Sequence, residues 1–307
     1  MTSKYIMLNG KLVDYDDAKI HVLSPAVAYA TSVFEGLRAY YVNDRFLLFR
    51  GLEHFDRLNA SMRALRFEEQ FSPEDLTQQL ARLIQANGWR QDVHARVLVM
   101  MDGATSMLSR GSAVIAMTAG PFAPNKYLER GLKLGTSTWQ RVQESSQPPR
   151  IKGTANYSNG RLAMIEADEH GYDMPLMLTR HGTVSETPVA SVFMIRRDKI
   201  FTPSVTEGIL EGITRDSVIQ LIADEMGLAV NERPIDRTEL YDADEVFMCG
   251  TGWEITPVAS IDNLALRAGA PGPITREITR HYMDAVRGAN PRYAGWIREI
   301  DMARQPA

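Results

Sequence analysis

The sequence predicts an α/β fold in two domains. Three observations lead there: short apolar strands gathered around tight-turn dipeptides at the start, helices with three- and four-residue apolar spacing after them, and a length of 307 residues, more than one compact core usually holds.

Tyr5–Leu8 and residues 11–13 flank Asn9-Gly10, a two-residue hairpin signal. A second hairpin is expected between residues 37–42 and Arg45–Phe49, because Asn43 and Asp44 tolerate the positive φ that such a turn requires. Leu52, Phe55, Leu58, Met62 and Leu65 then share one helical face, with Asp56 and Arg63 on the other. The next helix has Ser72 as its cap, Pro73 at its first position, Leu76, Leu80, Leu83 and Ile84 as its buried stripe and Gly88 as its end. Residues 97–101 and 113–118 read as buried strands. Pro121 and Pro124 interrupt both helix and central-strand pairing, which places the interdomain connection at residues 120–125, between domains at 1–119 and 126–307. In the second half a helix over residues 155–170 ends at Gly171, and residues 175–179 and 183–185 form a hairpin about His181-Gly182. Residues 192–195 and 200–202 are further strands, and residues 214–226 a further helix.

With 44% hydrophobic and 23% charged residues the composition is that of an ordinary globular protein. The net charge is -4, and no block of five like charges suggests a nucleic-acid patch, so the expected partners are small molecules and other subunits, not nucleic acid. Residues 1–5 lack a signal-peptide core, no apolar run is long enough to cross a bilayer, and Cys249 has no intrachain disulfide partner. A cytoplasmic protein without a membrane partner is the expectation.

Taken singly, the candidate functional residues admit bland readings. Lys152 lies in Ile151-Lys152-Gly153-Thr154-Ala155-Asn156-Tyr157, where small residues let a cofactor approach the backbone and Tyr157 supplies a phenol; most lysines are solvated charges. A lysine of lowered pKa there can form a Schiff base. Glu211-Gly212-Ile213-Thr214-Arg215 opens a helix, where backbone N–H groups and the dipole favour a phosphate, yet Thr214 before a helix equally serves as a simple cap. Arg57 offers a fork of donors matching a phosphate, and Glu186, after a hairpin strand, offers a carboxylate for a protonated pyridine nitrogen, although a hairpin glutamate is usually exposed.

Their joint order is more specific. Val33-Phe34-Glu35-Gly36-Leu37-Arg38-Ala39-Tyr40, Arg57, Lys152 with Tyr157, Ser185-Glu186, Leu210-Glu211-Gly212-Ile213-Thr214-Arg215, and Gly250-Thr251 before Glu254-Ile255-Thr256-Pro257-Val258 resemble the branched-chain amino acid aminotransferases from about Tyr5 to Ile261. The resemblance implies a fold-type IV enzyme dependent on pyridoxal 5'-phosphate (PLP), with a smaller N-terminal α/β domain, a larger C-terminal domain and the cofactor between them in a homodimer or higher oligomer. It implies transamination between a branched-chain or other apolar L-amino acid and 2-oxoglutarate in two half-reactions. Lys152 would be the Schiff-base lysine, Tyr157 the contact of the phenolic oxygen and Glu186 the partner of the pyridine nitrogen. Arg57, Ile213, Thr214 and Thr251 would hold the phosphate, with Leu210 and Gly212 beside them. Phe34, Gly36, Arg38, Tyr29, His94, Phe122, Gly252 and Trp253 would form the substrate side, with Arg96 receiving a distal carboxylate.

The resemblance breaks on the substrate side. Thr187-Pro188-Val189-Ala190-Ser191 replaces a glycine-containing stretch, so the loop beside Glu186 should be stiffer or differently packed; His94 and Phe122 stand where the family has tyrosines, and Gly252-Trp253 where it has small residues. Rival readings are a D-amino acid aminotransferase, an amine transaminase, an aminodeoxychorismate lyase, or a catalytically silent PLP-fold binding module. Phe34-Glu35-Gly36 with Arg38 favours the branched-chain group, and retention of Lys152, Tyr157 and Glu186 together argues against the silent module.

Overall fold

The computed structural model describes residues 3–301 and divides by contacts into two compact units. Unit 1 holds the chain to Ala123, the short stretch Ile151–Ala155 and the residues from Asp284 on; unit 2 holds Pro124–Arg150 and Asn156–Met283.

Unit 1 contains β1 (Tyr5–Leu8), β2 (Lys11–Asp14), α1 (Pro25–Tyr29), β3 (Ser32–Val42), β4 (Arg45–Phe49), α2 (Gly51–Ala64), α3 (Pro73–Asn87), β5 (Val93–Met101) and β6 (Ala113–Pro121). Both expected hairpins form, and Asn9, Gly10, Asn43 and Asp44 all take positive φ, as the turns demand. The antiparallel seven-stranded sheet runs Ile297–Asp301, β4, β3, β5, β6, β1, β2. Ser72 caps α3 by accepting the Asp75 N–H, and Gly88 ends the helix at φ +68°. Strand alternation divides the sheet faces. Val33, Leu37 and Ala39 of β3 with Val93, Ala95, Val97 and Val99 of β5 join Phe55, Leu58, Met62, Leu76, Leu80 and Leu83 of α2 and α3 in one core. The opposite face therefore carries Phe34, Gly36 and Arg38 beside Leu98, Arg96 and His94.

Unit 2 contains β7 (Leu132–Thr136), α4 (Asn156–Glu169), β8 (Met174–Leu176), β9 (Ser191–Arg196), β10 (Lys199–Thr202), α5 (Ile213–Met226), β11 (Val230–Glu232), α6 (Arg237–Tyr241), β12 (Glu245–Gly250), β13 (Glu254–Ile261), β14 (Leu264–Ala265) and most of α7 (Pro273–Val286). Its mixed sheet runs β11, β10, β9, β12, β13, β7, β8, with β14 paired to β13; β10–β11, β13–β7 and β7–β8 are parallel.

Several sequence expectations need correction. Strand β5 starts four residues earlier than expected, because the Val93-Ala95 alternation continues the buried face. Strand β6 continues through Gly120 and Pro121, which stand opposite His94 and Val93; a proline is tolerated there as the last residue of the strand. The hairpin expected about His181-Gly182 forms, but shorter than expected: the Thr179 N–H donates to the Thr183 carbonyl, the Ser185 N–H to the Met177 carbonyl, and Leu178 bridges Val184, while Met174–Leu176 pairs instead in parallel with β7. Helices α1, α6 and α7 and strands β7, β12 and β13 lay outside the expectations; the last three strands are buried runs that periodicity alone does not separate from helix.

Candidate active site

In unit 1, β4 reaches only the second half of β3, so the first half presents an unpaired edge, and the stretch carrying Lys152 fills it. The Phe34 N–H donates to the Lys152 carbonyl at 3.0 Å, Gly153 bridges Val33, and the Thr154 N–H donates to the Ser32 carbonyl at 3.0 Å. From α2, Ser61 Oγ accepts the Lys152 N–H at 3.2 Å. The half-buried Lys152 Nζ lies 5.1 Å from the centre of the Phe34 ring.

Behind this segment Glu35 is fully buried. Arg57 donates to it through two nitrogens, Nε to Oε1 at 2.7 Å and Nη2 to Oε2 at 2.8 Å, and His54 Nδ1 lies 2.7 Å from Oε2. Burial opposes ionisation of Glu35, but the charge and hydrogen bonds of Arg57, with those of His54, outweigh it and hold the carboxyl at about 2. Burial likewise pushes His54 down against the pull of Glu35, so His54 is neutral near pH 7. Because an ionised carboxylate can only accept, the His54 proton sits on Nδ1.

On the other sheet face the strand register gathers five expected substrate residues. Phe34, Gly36 and Arg38 stand opposite Leu98, Arg96 and His94 respectively. The Arg96 guanidinium carbon is 4.1 Å from the Phe34 ring centre, and that of Arg38, 2% exposed, is 3.3 Å from the Phe122 ring centre. A Cβ at Gly36 would stand 3.2 Å from His94 Nε2, so the missing side chain is what lets the imidazole lie there. Burial, then the charges of Arg38 and Arg96, push His94 down to about 4. Tyr29 ends α1 with an exposed side chain and takes no part in these contacts.

In unit 2, Glu186 is buried, contrary to the exposure usual for a glutamate near a hairpin. Its Oε1 receives Arg141 Nη2 at 2.8 Å and the Leu210 N–H at 3.1 Å, while Arg141 Nε donates to the Gly208 carbonyl. The loop after it closes on Thr187, whose Oγ1 accepts the Ala190 N–H and donates to the Ala190 carbonyl. Pro188 leans on Gly160 of α4, where an added Cβ would come within 2.8 Å of it, so the loop after Glu186 is packed tightly on α4. The cap reading of Thr214 fails: Gly212 is the N-cap of α5, no side chain caps that end, and Ile213 and Thr214 are buried in the first turn. Tyr157 is the half-buried second residue of α4. Thr251 and Gly252 form the turn between β12 and β13, with open space around the Gly252 Cβ position. Trp253 follows, half-buried against the unit 2 core and 6.0 Å from the Tyr127 ring, its carbonyl accepting from Thr256 and Asn125.

Sequence reasoning missed Arg141 and His54 and gave Glu35 no role. Glu35 stood inside a quoted motif, and three-residue spacing places His54 and Arg57 on one helix face; no local signal marked Arg141. A cleft of about 310 Å³ in unit 2 is lined by Arg141, Gln143, Arg150, Arg180 and Glu207 among others, but by none of Tyr157, Glu186, Ile213, Thr214 or Thr251.

Residues 32–261 match the family described as amino-transferase class IV. A probable branched-chain-amino-acid aminotransferase of Aquifex aeolicus is 36% identical over 301 residues, 96% of each chain. The branched-chain amino acid aminotransferase of Thermobaculum terrenum, solved in its PLP form, is 39% identical with a TM-score of 0.91, covering 97% of this chain and 99% of that one. The branched-chain amino acid aminotransferase of T.th., solved with N-(5'-phosphopyridoxyl)-L-glutamate, is 36% identical with a TM-score of 0.91 over 96% of this chain and 98% of its own. With three quarters of its length inside the family match and near-complete coverage by these relatives, the chain belongs to the class IV aminotransferases, with their fold-type IV architecture.

Proposed function

We propose that this protein is a PLP-dependent transaminase exchanging an amino group between a branched-chain or other apolar L-amino acid and 2-oxoglutarate. The observation that carries this reading is its full-length similarity to a branched-chain aminotransferase solved with a phosphopyridoxyl-glutamate conjugate, which joins the cofactor to the amino form of that acceptor. The residues present fit the cofactor. The start of α5, without a side-chain cap, suits a phosphate, and the buried carboxylate of Glu186 suits a protonated pyridine nitrogen. When bound, PLP supplies the electron sink that stabilises negative charge at the substrate α-carbon.

The chain's own residues do the rest. Lys152 Nζ would hold the cofactor covalently, and its amine would move the substrate α-proton. Tyr157 would support the phenolic oxygen, and Glu186 would accept a hydrogen bond from the protonated ring nitrogen. Arg57, Ile213, Thr214 and Thr251 would be the residues that hold the phosphate, with Leu210 and Gly212 beside them. Thr251 and Gly252 offer N–H groups to the α-carboxylate. Phe34, Gly36, Arg38, His94, Phe122 and Trp253 would shape the side-chain site, with the exposed Tyr29 at its edge, and Arg96 would receive the distal carboxylate of the second substrate.

This reading includes at least a homodimer and a cytoplasmic location. Supporting the first, Val22, Leu23, Val27, Met107 and Leu108 are all exposed, and Thr105 Oγ1 ties the loop bearing two of them to Leu23. None of the helices among the described residues is long and apolar enough to cross a membrane.

The test is a donor panel with 2-oxoglutarate as acceptor. Glutamate formation from leucine, isoleucine or valine above all other donors supports the reading. Preference for D-amino acids or amines would reassign the substrate within the same family, and no exchange by PLP-loaded protein with any donor would leave a silent binding module.

A further inference from the structure

The phosphate reading of Arg57 leaves open what keeps a long, flexible side chain in place. Three residues of α2 at helical spacing address the site from one face: His54 and Arg57 both engage Glu35, and Ser61 accepts the Lys152 N–H. Strand alternation turns Glu35 toward that helix while its neighbours Phe34 and Gly36 face the opposite side of the sheet, and Phe34 binds the Lys152 carbonyl.

We infer that Glu35, itself oriented by His54, is the positioning residue that sets the Arg57 guanidinium for the cofactor phosphate. This rests on the reading of Arg57 as a phosphate ligand. A guanidinium has five N–H donors in one plane, and Glu35 takes two of them from the Nε edge, which fixes both the position and the plane of the group. Glu35 in turn cannot swing away: it is fully buried, and the neutral His54 donates to the oxygen that Arg57 Nη2 also binds. An arginine ordered in advance loses little freedom when the phosphate arrives. The buried negative charge weakens the long-range attraction of Arg57 for an anion, so the proposal requires that orientation outweighs attraction.

The experiment measures PLP release from the holoenzyme, by absorbance after dilution into a PLP trap, for wild type, Glu35→Gln, Arg57→Ala and the double variant. The proposal expects Glu35→Gln to speed release about tenfold when Arg57 is present and to add nothing in the Arg57→Ala background. Wild-type release in Glu35→Gln, or an equal effect with and without Arg57, overturns it, the second outcome marking a general structural role. If Arg57→Ala releases PLP no faster than wild type while Glu35→Gln does, the phosphate reading itself fails, and the proposal with it. Should Glu35→Gln not fold, His54→Phe removes one support of Glu35; it is expected to speed release severalfold only with Arg57 present, and a background-independent effect again overturns the proposal.

Discussion

Arg141 Nη2 lies 2.8 Å from Glu186 Oε1, and both side chains are almost wholly buried. Their attraction offsets two desolvation costs, so removing one partner strands a charge in the interior. Arg141→Met should therefore destabilise the PLP-free protein by roughly 3–5 kcal/mol at neutral pH in urea unfolding. A loss below about 1 kcal/mol, the range of exposed pairs, would mean that water or another donor replaces the arginine.

Glu35 makes stability fall in acid. Its carboxyl lies at about 2 in the fold against an ordinary 4.5, so its contribution is complete above about pH 4.5 and is lost as pH falls toward 2. That interval corresponds to roughly 3 kcal/mol at about 1.36 kcal/mol for each tenfold change in proton affinity. Glu35→Gln should flatten the stability–pH curve between pH 4.5 and 2; the same slope in wild type and variant would count against the assignment.

His94 should stay uncharged through the working pH range. Burial, Arg38 and Arg96 hold it at about 4, with His54 and Lys152 acting in the same direction. Its NMR titration should have a midpoint near 4, and the KM for 2-oxoglutarate should show no inflection near 6.5 from this group. A midpoint near 6.5 would show that the imidazole is solvated rather than enclosed beside Gly36.

Trp253, proposed for the substrate side, also has a packing role. It packs against the unit 2 core and Tyr127, yet it is only half-buried and follows the Thr251-Gly252 turn. Trp253→Ala should cost roughly 2 kcal/mol, less than the ~3–5 of a fully buried tryptophan. It should also raise kcat/KM for phenylalanine relative to valine. Unchanged selectivity with the full stability loss would place the indole outside the substrate pocket.

Legibility in the sequence followed the range of the interactions. The Asn9-Gly10 and Asn43-Asp44 turns, the Ser72 cap and the stripe of α3 are local, and each formed where expected. Arg57 and Lys152 stood out by motif, but their supports did not: the Glu35 carboxylate is reached from a helix 22 residues on, and Arg141 meets Glu186 through tertiary packing. The buried strands β12 and β13 lack alternation because both faces are covered. The bland reading of Glu186 as an exposed hairpin glutamate fails, because the side chain is buried against Arg141, a partner that no nearby residue announces.

The central claim rests on one amine. Borohydride reduction of the PLP-loaded protein followed by peptide mass mapping tests it directly: the account predicts a single stable phosphopyridoxyl adduct on Lys152, lost in Lys152→Ala together with steady-state turnover. A stable adduct on another lysine in the wild-type protein, or full turnover by Lys152→Ala, would contradict it.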